Sequence, residues 1–229
     1  MKFIFYEDWF KKRVNKVINI FGKDWFVNKS ILELGACHGD IGIEFLKLGA
    51  DVTFSDARAQ SLYAIKDKIN LTPKTIVLDQ NKPYKLNKKF DIVLHFGMLQ
   101  YIEDWRSDLK CALDHTDKLI LETYVHPIKD SEEFFLESEN HHYSDTGSRN
   151  VRFTQEAIEE FLIKQNCKFI RLDTSELNCD YNWSYETGKI RHLYDWTYEK
   201  FNTGIYNDPE WVNGVRYETH FRRMWLIIK

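Results

Sequence analysis

Short apolar runs alternate with helical spacings along the first two thirds of the chain. Phe10, Val14, Val17, Ile18 and Phe21 share one face of a predicted helix over 8–21. Lys11, Lys12, Arg13 and Lys16 form a basic face that reads as solvated. Ser30–Gly35 reads as a strand running into a helix from about Gly39, where Ile41, Phe45 and Leu48 repeat and Gly49 stops the pattern. Val52–Ser55 is a second strand, followed by a helix using Leu62, Ile65 and Ile69. Thr75–Leu78 and Phe90–Leu94 are the third and fourth strands, and a helix carrying Trp105, Leu109 and Ala112 comes next. Lys118–Leu121 opens a fifth strand that extends toward Val125. Such alternation predicts a parallel sheet wrapped in helices.

The rhythm breaks at 127–150, which has no periodicity and reads as a loop or lid. Thr154 is an expected N-cap for a helix using Ile158, Phe161 and Leu162, and Lys168–Leu172 is a sixth strand. Residues 176–220 form a second irregular, lid-like insertion, and Arg223–Lys229 closes the chain as a seventh strand. The 229 residues are expected to form one domain.

Charge adds exclusions. Thirty-two basic against 35 acidic side chains, a net charge of −3, exert no global pull toward nucleic acid or anionic membrane. No uncharged run is long enough to cross a bilayer, and acid follows the first apolar residues too soon for a signal-peptide core. Cys37, Cys111, Cys167 and Cys179 form no metal spacing with the histidines, so no metal is expected and a reduced, cytoplasmic setting is.

The sharpest feature is Ile31-Leu-Glu-Leu-Gly-Ala-Cys-His-Gly-Asp-Ile-Gly42. Glycines at a strand-to-helix turn let the backbone approach a ligand, and the helix start offers N–H groups to an anion. Asp56 lies 21 residues beyond Gly35, at the end of the second strand, where a carboxylate can accept from both hydroxyls of a ribose. A nucleoside-containing ligand at the switch point of an open sheet follows, and two ligand classes fit. Dinucleotide folds want G-x-G-x-x-G, whereas here the glycines stand as G-x-x-x-G-x-x-G with Cys37 in the second glycine's place.

The Glu33–Gly42 stretch resembles the first motif of class I S-adenosylmethionine-dependent methyltransferases, E/D-x-G-x-G-x-G. The resemblance continues through V-T-F-S-D-A-R (52–58), I-V-L-D-Q (76–80) and F-D-I-V-L-H-F-G-M-L-Q-Y (90–101), covering roughly 28–126. It implies a Rossmann-like three-layer α/β/α fold with a seven-stranded, mostly parallel sheet whose last strand is antiparallel. It also implies S-adenosylmethionine as cofactor. By that resemblance Glu33, Gly35, Ala36, Cys37 and Gly39 match the loop around the methionine half. Asp56 matches the ribose acid, Ala57 and Arg58 flank the adenine, and Asp79 with Gln80 meets the adenine amino group. His95, Phe96 and Gly97 match the segment lining the methionine amino end. Cys37 departs from the motif, since its side chain must point away from the cofactor or narrow its pocket.

Methyl transfer is an in-line displacement in which orientation supplies most of the acceleration, and a base matters only for an acceptor that must lose a proton. His126, after the fifth strand, is the preferred base, with His95, His141 and His142 behind it; Tyr101 could orient an acceptor. Residues 127–150 hold six acids against two bases and residues 176–220 eight against four, net −4 each. That disfavours a polyphosphate backbone as acceptor. The second segment's aromatic side chains would either wall an acceptor pocket or form a small core. The reading is a methyltransferase acting on an oxygen or nitrogen of a small molecule, such as a sugar or another metabolite. Its alternatives are an RNA- or protein-modifying methyltransferase, a non-catalytic binding protein on the same fold, an NAD-type oxidoreductase and an aminopropyl transferase.

Overall fold

A computed structural model describes residues 4–69, 71–125, 134–136, 150–172, 174, 177, 179–183, 190–195, 211–212, 215–216 and 222–229. Seven strands form the main sheet: β1 (Ser30–Leu34), β2 (Asp51–Asp56), β3 (Lys74–Val77), β4 (Ile92–Phe96), β5 (Lys118–Tyr124), β8 (Lys168–Leu172) and β13 (Arg222–Ile228). Their order is β3-β2-β1-β4-β5-β13-β8. Neighbours from β3 to β5 pair in parallel, and β13 lies antiparallel between β5 and β8. The expected mostly parallel sheet with an antiparallel last strand is what forms.

Alternation along the strands sorts the core into two layers. Ile31, Ile92, Leu94, Ile120, Met224 and Leu226 face one side. There they meet α1 (Ile4–Phe21), α2 (Asp40–Lys47) and α3 (Ala59–Lys68) through Val14, Val17, Phe45, Leu62 and Ile65. Leu32, Leu34, Val93, Leu119, Leu121, Trp225 and Ile227 face the other. They pack on α4 (Trp105–Asp114) and α5 (Gln155–Lys164) through Trp105, Leu109, Ile158 and Leu162. Thr154 caps α5 as expected, its hydroxyl accepting the Ala157 N–H at 3.2 Å.

Several boundaries shift. α1 begins at Ile4, four residues before the apolar spacing becomes regular. β4 begins at Ile92, because Phe90 makes only an isolated bridge to Thr116. The two stretches expected to be irregular contain short antiparallel pairs: β6 (Phe134–Leu136) with β7 (Asn150–Arg152), β9 (Cys179–Trp183) with β10 (Ile190–Asp195), and β11 (Trp211–Val212) with β12 (Val215–Arg216). Arg13 corrects the solvated basic face. It is 7% exposed, at i+3 from Phe10 and i−4 from Val17, and so lies on the buried stripe. Among the described residues no helix is long and apolar enough to cross a membrane, and no cluster of potential metal ligands forms.

Candidate functional site

The chain reverses its direction of strand addition between β1 and β4, and such a switch point opens a crevice beyond the strands' carboxyl ends. Both strands leave the sheet through a left-handed glycine, Gly35 at φ 65° and Gly97 at φ 64°. A Cβ on Gly35 would collide with the Met98 side chain, and one on Gly97 would stand 3.1 Å from an Arg13 Nη atom. Only glycine combines that backbone with that closeness.

The turn after β1 is tied down by its neighbours. Ala36 N donates to Ser55 O at 2.8 Å, and Gly39 N to Ala36 O at 2.7 Å. Gly39, left-handed at φ 72°, is the N-cap of α2. Cys37 also has a positive φ, 49°, and its N–H donates to Asp56 Oδ2 at 2.9 Å. Asp56 Oδ1 accepts the Arg58 N–H at 2.9 Å, with Arg58 Nε at 3.4 Å. Each Asp56 oxygen thus holds one backbone N–H and keeps acceptor capacity. Arg58 also reaches Cys37 Sγ, at 3.8 Å, and the thiol is pushed up by burial.

Glu33 lies beneath this turn. Strand alternation sends its side chain to the α2 face, where Oε2 accepts the Gly42 N–H at 3.0 Å. Burial pushes its carboxyl up to about 8, against the opposing effect of the Gly42 hydrogen bond. Ionisation is therefore resisted in the folded chain between about 4.5 and 8, and over that window stability falls as pH rises. Glu33→Gln, which keeps an acceptor for Gly42, is expected to lose that dependence. Melting temperatures from pH 5 to 9 should show wild type weakening against the variant by about 1.4 kcal/mol per pH unit at most. Parallel curves would refute a neutral Glu33.

After β3, Leu78 N donates to Asp56 O at 3.0 Å. Asp79 faces outward, accepts the Asn81 N–H at 3.1 Å and pairs with Lys82 at 3.0 Å; Lys82 holds its carboxyl below the ordinary value. Gln80 turns inward and donates to Asp108 Oδ1 at 3.1 Å. His95 is fully buried on the α4 side of β4, its Nε2 2.7 Å from Asp108 Oδ2, so its ring is committed within the core. Phe96, on the opposite face, lies under the Arg13 guanidinium at 6.0 Å. Ala57 and Arg58 begin the segment leading into α3, with Arg58 at its N-cap. His126, His141 and His142 lie outside the described residues, and Tyr101 is half-buried in the short 3-10 turn Leu99–Tyr101.

A buried ion cluster beside Gly97 has no counterpart in the sequence reading. Glu122 is fully buried, 2.7 Å from Arg13 and 2.6 Å from Arg222. Its carboxyl is driven up by burial, but the two guanidiniums prevail and hold it below its ordinary value. Arg222 also lies 3.8 Å from the centre of the Tyr124 ring. The segment after Gly97 is fixed by Gly97 N to Glu122 O at 2.8 Å, Gln100 Nε2 to Gly97 O at 2.7 Å and Thr123 Oγ1 to Gln100 Oε1 at 2.9 Å. A glutamate within Lys-Leu-Ile-Leu-Glu-Thr-Tyr-Val is a sequence signal for such a partner.

No protein-family model matches the chain, and no curated protein matches it in sequence. Solved structures match in fold. An S-adenosylmethionine-dependent methyltransferase from Clostridium acetobutylicum superposes with a TM-score of 0.59 at 13% identity, covering 96% of this chain and 91% of that one. Magnesium protoporphyrin IX methyltransferase from Synechocystis, solved with S-adenosylmethionine, gives 0.57 at 14%, covering 96% and 79%. A 1,6-didemethyltoxoflavin-N1-methyltransferase from Burkholderia thailandensis, solved with 1,6-didemethyltoxoflavin and S-adenosylhomocysteine bound, gives 0.54 at 12%, covering 96% and 78%. The fold is that of the class I methyltransferases.

Proposed function

We propose that this chain binds S-adenosylmethionine at the β1–β4 switch point and transfers its methyl group to an oxygen or nitrogen of a small molecule. One observation carries the reading: two left-handed glycines on adjacent strand ends, with an aspartate at the end of the next strand keeping free acceptor capacity. The solved neighbours that hold this cofactor or its demethylated product share the fold.

The residues present fit the group. Gly35 and Gly97 take the left-handed turns that let the two strand ends present backbone to a ligand, and Ala36, Cys37 and Gly39 would surround the methionine half with Glu33 bracing the turn from below. Asp56 would accept from the ribose hydroxyls. Asp79 would meet the adenine amino group, Ala57 and Arg58 would flank the ring, and Gln80 would act from behind. His95 and Phe96 would contribute backbone, and Gly97 close approach, at the amino end of the methionine. When bound, the cofactor supplies a methyl group on a sulfonium whose departure leaves a neutral thioether. What the protein must add is alignment of the acceptor with that methyl, and a base only for a hydroxyl acceptor, for which His126 is the candidate. The acidic segments 127–150 and 176–220 favour a small acceptor over a polyphosphate one.

Calorimetry tests the reading. S-adenosylhomocysteine is expected to bind and NADH to give no heat; the reverse result overturns the assignment. Asp56→Ala should weaken S-adenosylhomocysteine about a hundredfold, since two hydrogen bonds to a carboxylate are worth about 1.5 kcal/mol or more each. Unchanged affinity in that variant removes Asp56 from the ribose subsite.

A further inference from the structure

We infer that Asp108 is a positioning residue of the cofactor crevice, a buried clasp that fixes the loop after β3 against the end of β4. The inference rests on the proposed cofactor reading. Asp108 is in the first turn of α4 and 2% exposed. Its two oxygens take hydrogen bonds from two different strand ends: Gln80 Nε2 reaches Oδ1 at 3.1 Å and Oδ2 at 3.3 Å, and His95 Nε2 donates to Oδ2 at 2.7 Å. The imidazole proton on Nε2 is therefore spent on Asp108, and the 3.3 Å approach of Gln80 Nε2 to His95 Nε2 is contact between two donors.

Both clasped residues adjoin the crevice. Gln80 follows Asp79, the outward-facing acid of the β3 loop, and His95 lies two residues before Gly97. A second link runs the same way, Glu103 N donating to Asn81 Oδ1 at 3.2 Å. The edge that would meet the adenine and the edge that would meet the methionine half are thus held by one carboxylate.

Stability is a poor reason for this arrangement. Replacing a buried polar network with apolar side chains is often neutral or stabilising. Among the described residues His95 Nδ1 has no hydrogen-bond partner, a cost that a purely structural core has no need to carry. Geometric fixation of a ligand-bearing edge gives the network a purpose, because affinity is lost when a site must be ordered on binding.

The test is Asp108→Asn, which keeps shape but turns one acceptor oxygen into a donor facing Gln80 or His95. Binding of S-adenosylhomocysteine, read by calorimetry below both melting transitions, is expected to weaken at least tenfold. A control, Leu109→Ala, removes core packing from the same helix and should lower the melting temperature with less than threefold effect on affinity. Combining Asp108→Asn with Gln80→Glu reverses the direction of the bond, the introduced amide on α4 donating to the introduced carboxylate after β3. Affinity in that double variant should return to within threefold of wild type. Asp108→Asn binding as tightly as wild type, or losing no more affinity than Leu109→Ala, overturns the inference. Should Asp108→Asn not fold, Gln80→Met frees the loop while keeping the His95–Asp108 pair and carries the same tenfold expectation. Failure of wild type itself to bind refutes the cofactor reading first and is distinguishable from both.

Discussion

Gly35→Val is expected to abolish binding of S-adenosylhomocysteine and to destabilise the fold at the same time. A β-branched residue at φ 65° leaves the allowed region for L side chains, at about 1–2 kcal/mol. Its side chain would also enter the space of the Met98 Cγ and Sδ atoms, and overpacking of that kind costs about 1–3 kcal/mol more. Met98 follows Gly97, so relief of the clash pushes the β4 edge out of position as well. Urea unfolding should show a loss of about 3 kcal/mol, and calorimetry no heat with the demethylated product. A variant that binds normally would show that the ligand does not approach this turn.

The second large effect is on stability alone. Glu122→Ala removes the carboxylate that binds Arg13 of α1 and Arg222 of β13, and stranding buried guanidiniums costs about 3–5 kcal/mol. Glu122→Gln, which keeps shape and an acceptor, should cost less. Denaturant midpoints measure both, and a loss under about 1 kcal/mol for the alanine variant would show that the cluster does not hold α1 to the sheet.

The sheet is readable in the chain because its inner strands are buried on both faces. Ile31-Leu-Glu-Leu and Ile92-Val-Leu need no alternation to be recognised, and Gly35 and Gly39 bound the turn that follows the first. Asp56 and Gly35 are legible for a related reason, since strand ends are where chemistry gathers in such sheets. Arg13 and Asp108 escape the pattern although each sits on the apolar stripe of its helix, Asp108 at i+3 from Trp105 and i−4 from Ala112. Their charge argues for solvent, while their position implies a buried partner. That partner lies far along the chain, Glu122 for Arg13 and Gln80 for Asp108, and local pattern carries no record of it. The pair β6–β7 escapes because each strand has only three residues, and β9 escapes although Cys179-Asp-Tyr-Asn-Trp alternates apolar and polar positions. His95 shows the converse error: a histidine at a strand end reads as a candidate base until alternation turns its ring toward α4.

The place of β13 has a consequence for how the protein is made. The last strand of the sheet to be synthesised is not at its rim; it fills the slot between β5 and β8, and 100 residues separate Glu122 from Arg222. Until that strand arrives, β5 and β8 each present bare amide and carbonyl groups to other chains, which is the usual setting for intermolecular pairing. Closing so long a span adds only modest entropy, but it comes late, so the half-built sheet waits on the ribosome. Nascent chains of this protein should therefore lean on chaperones chiefly during the stretch of translation that separates β8 from β13.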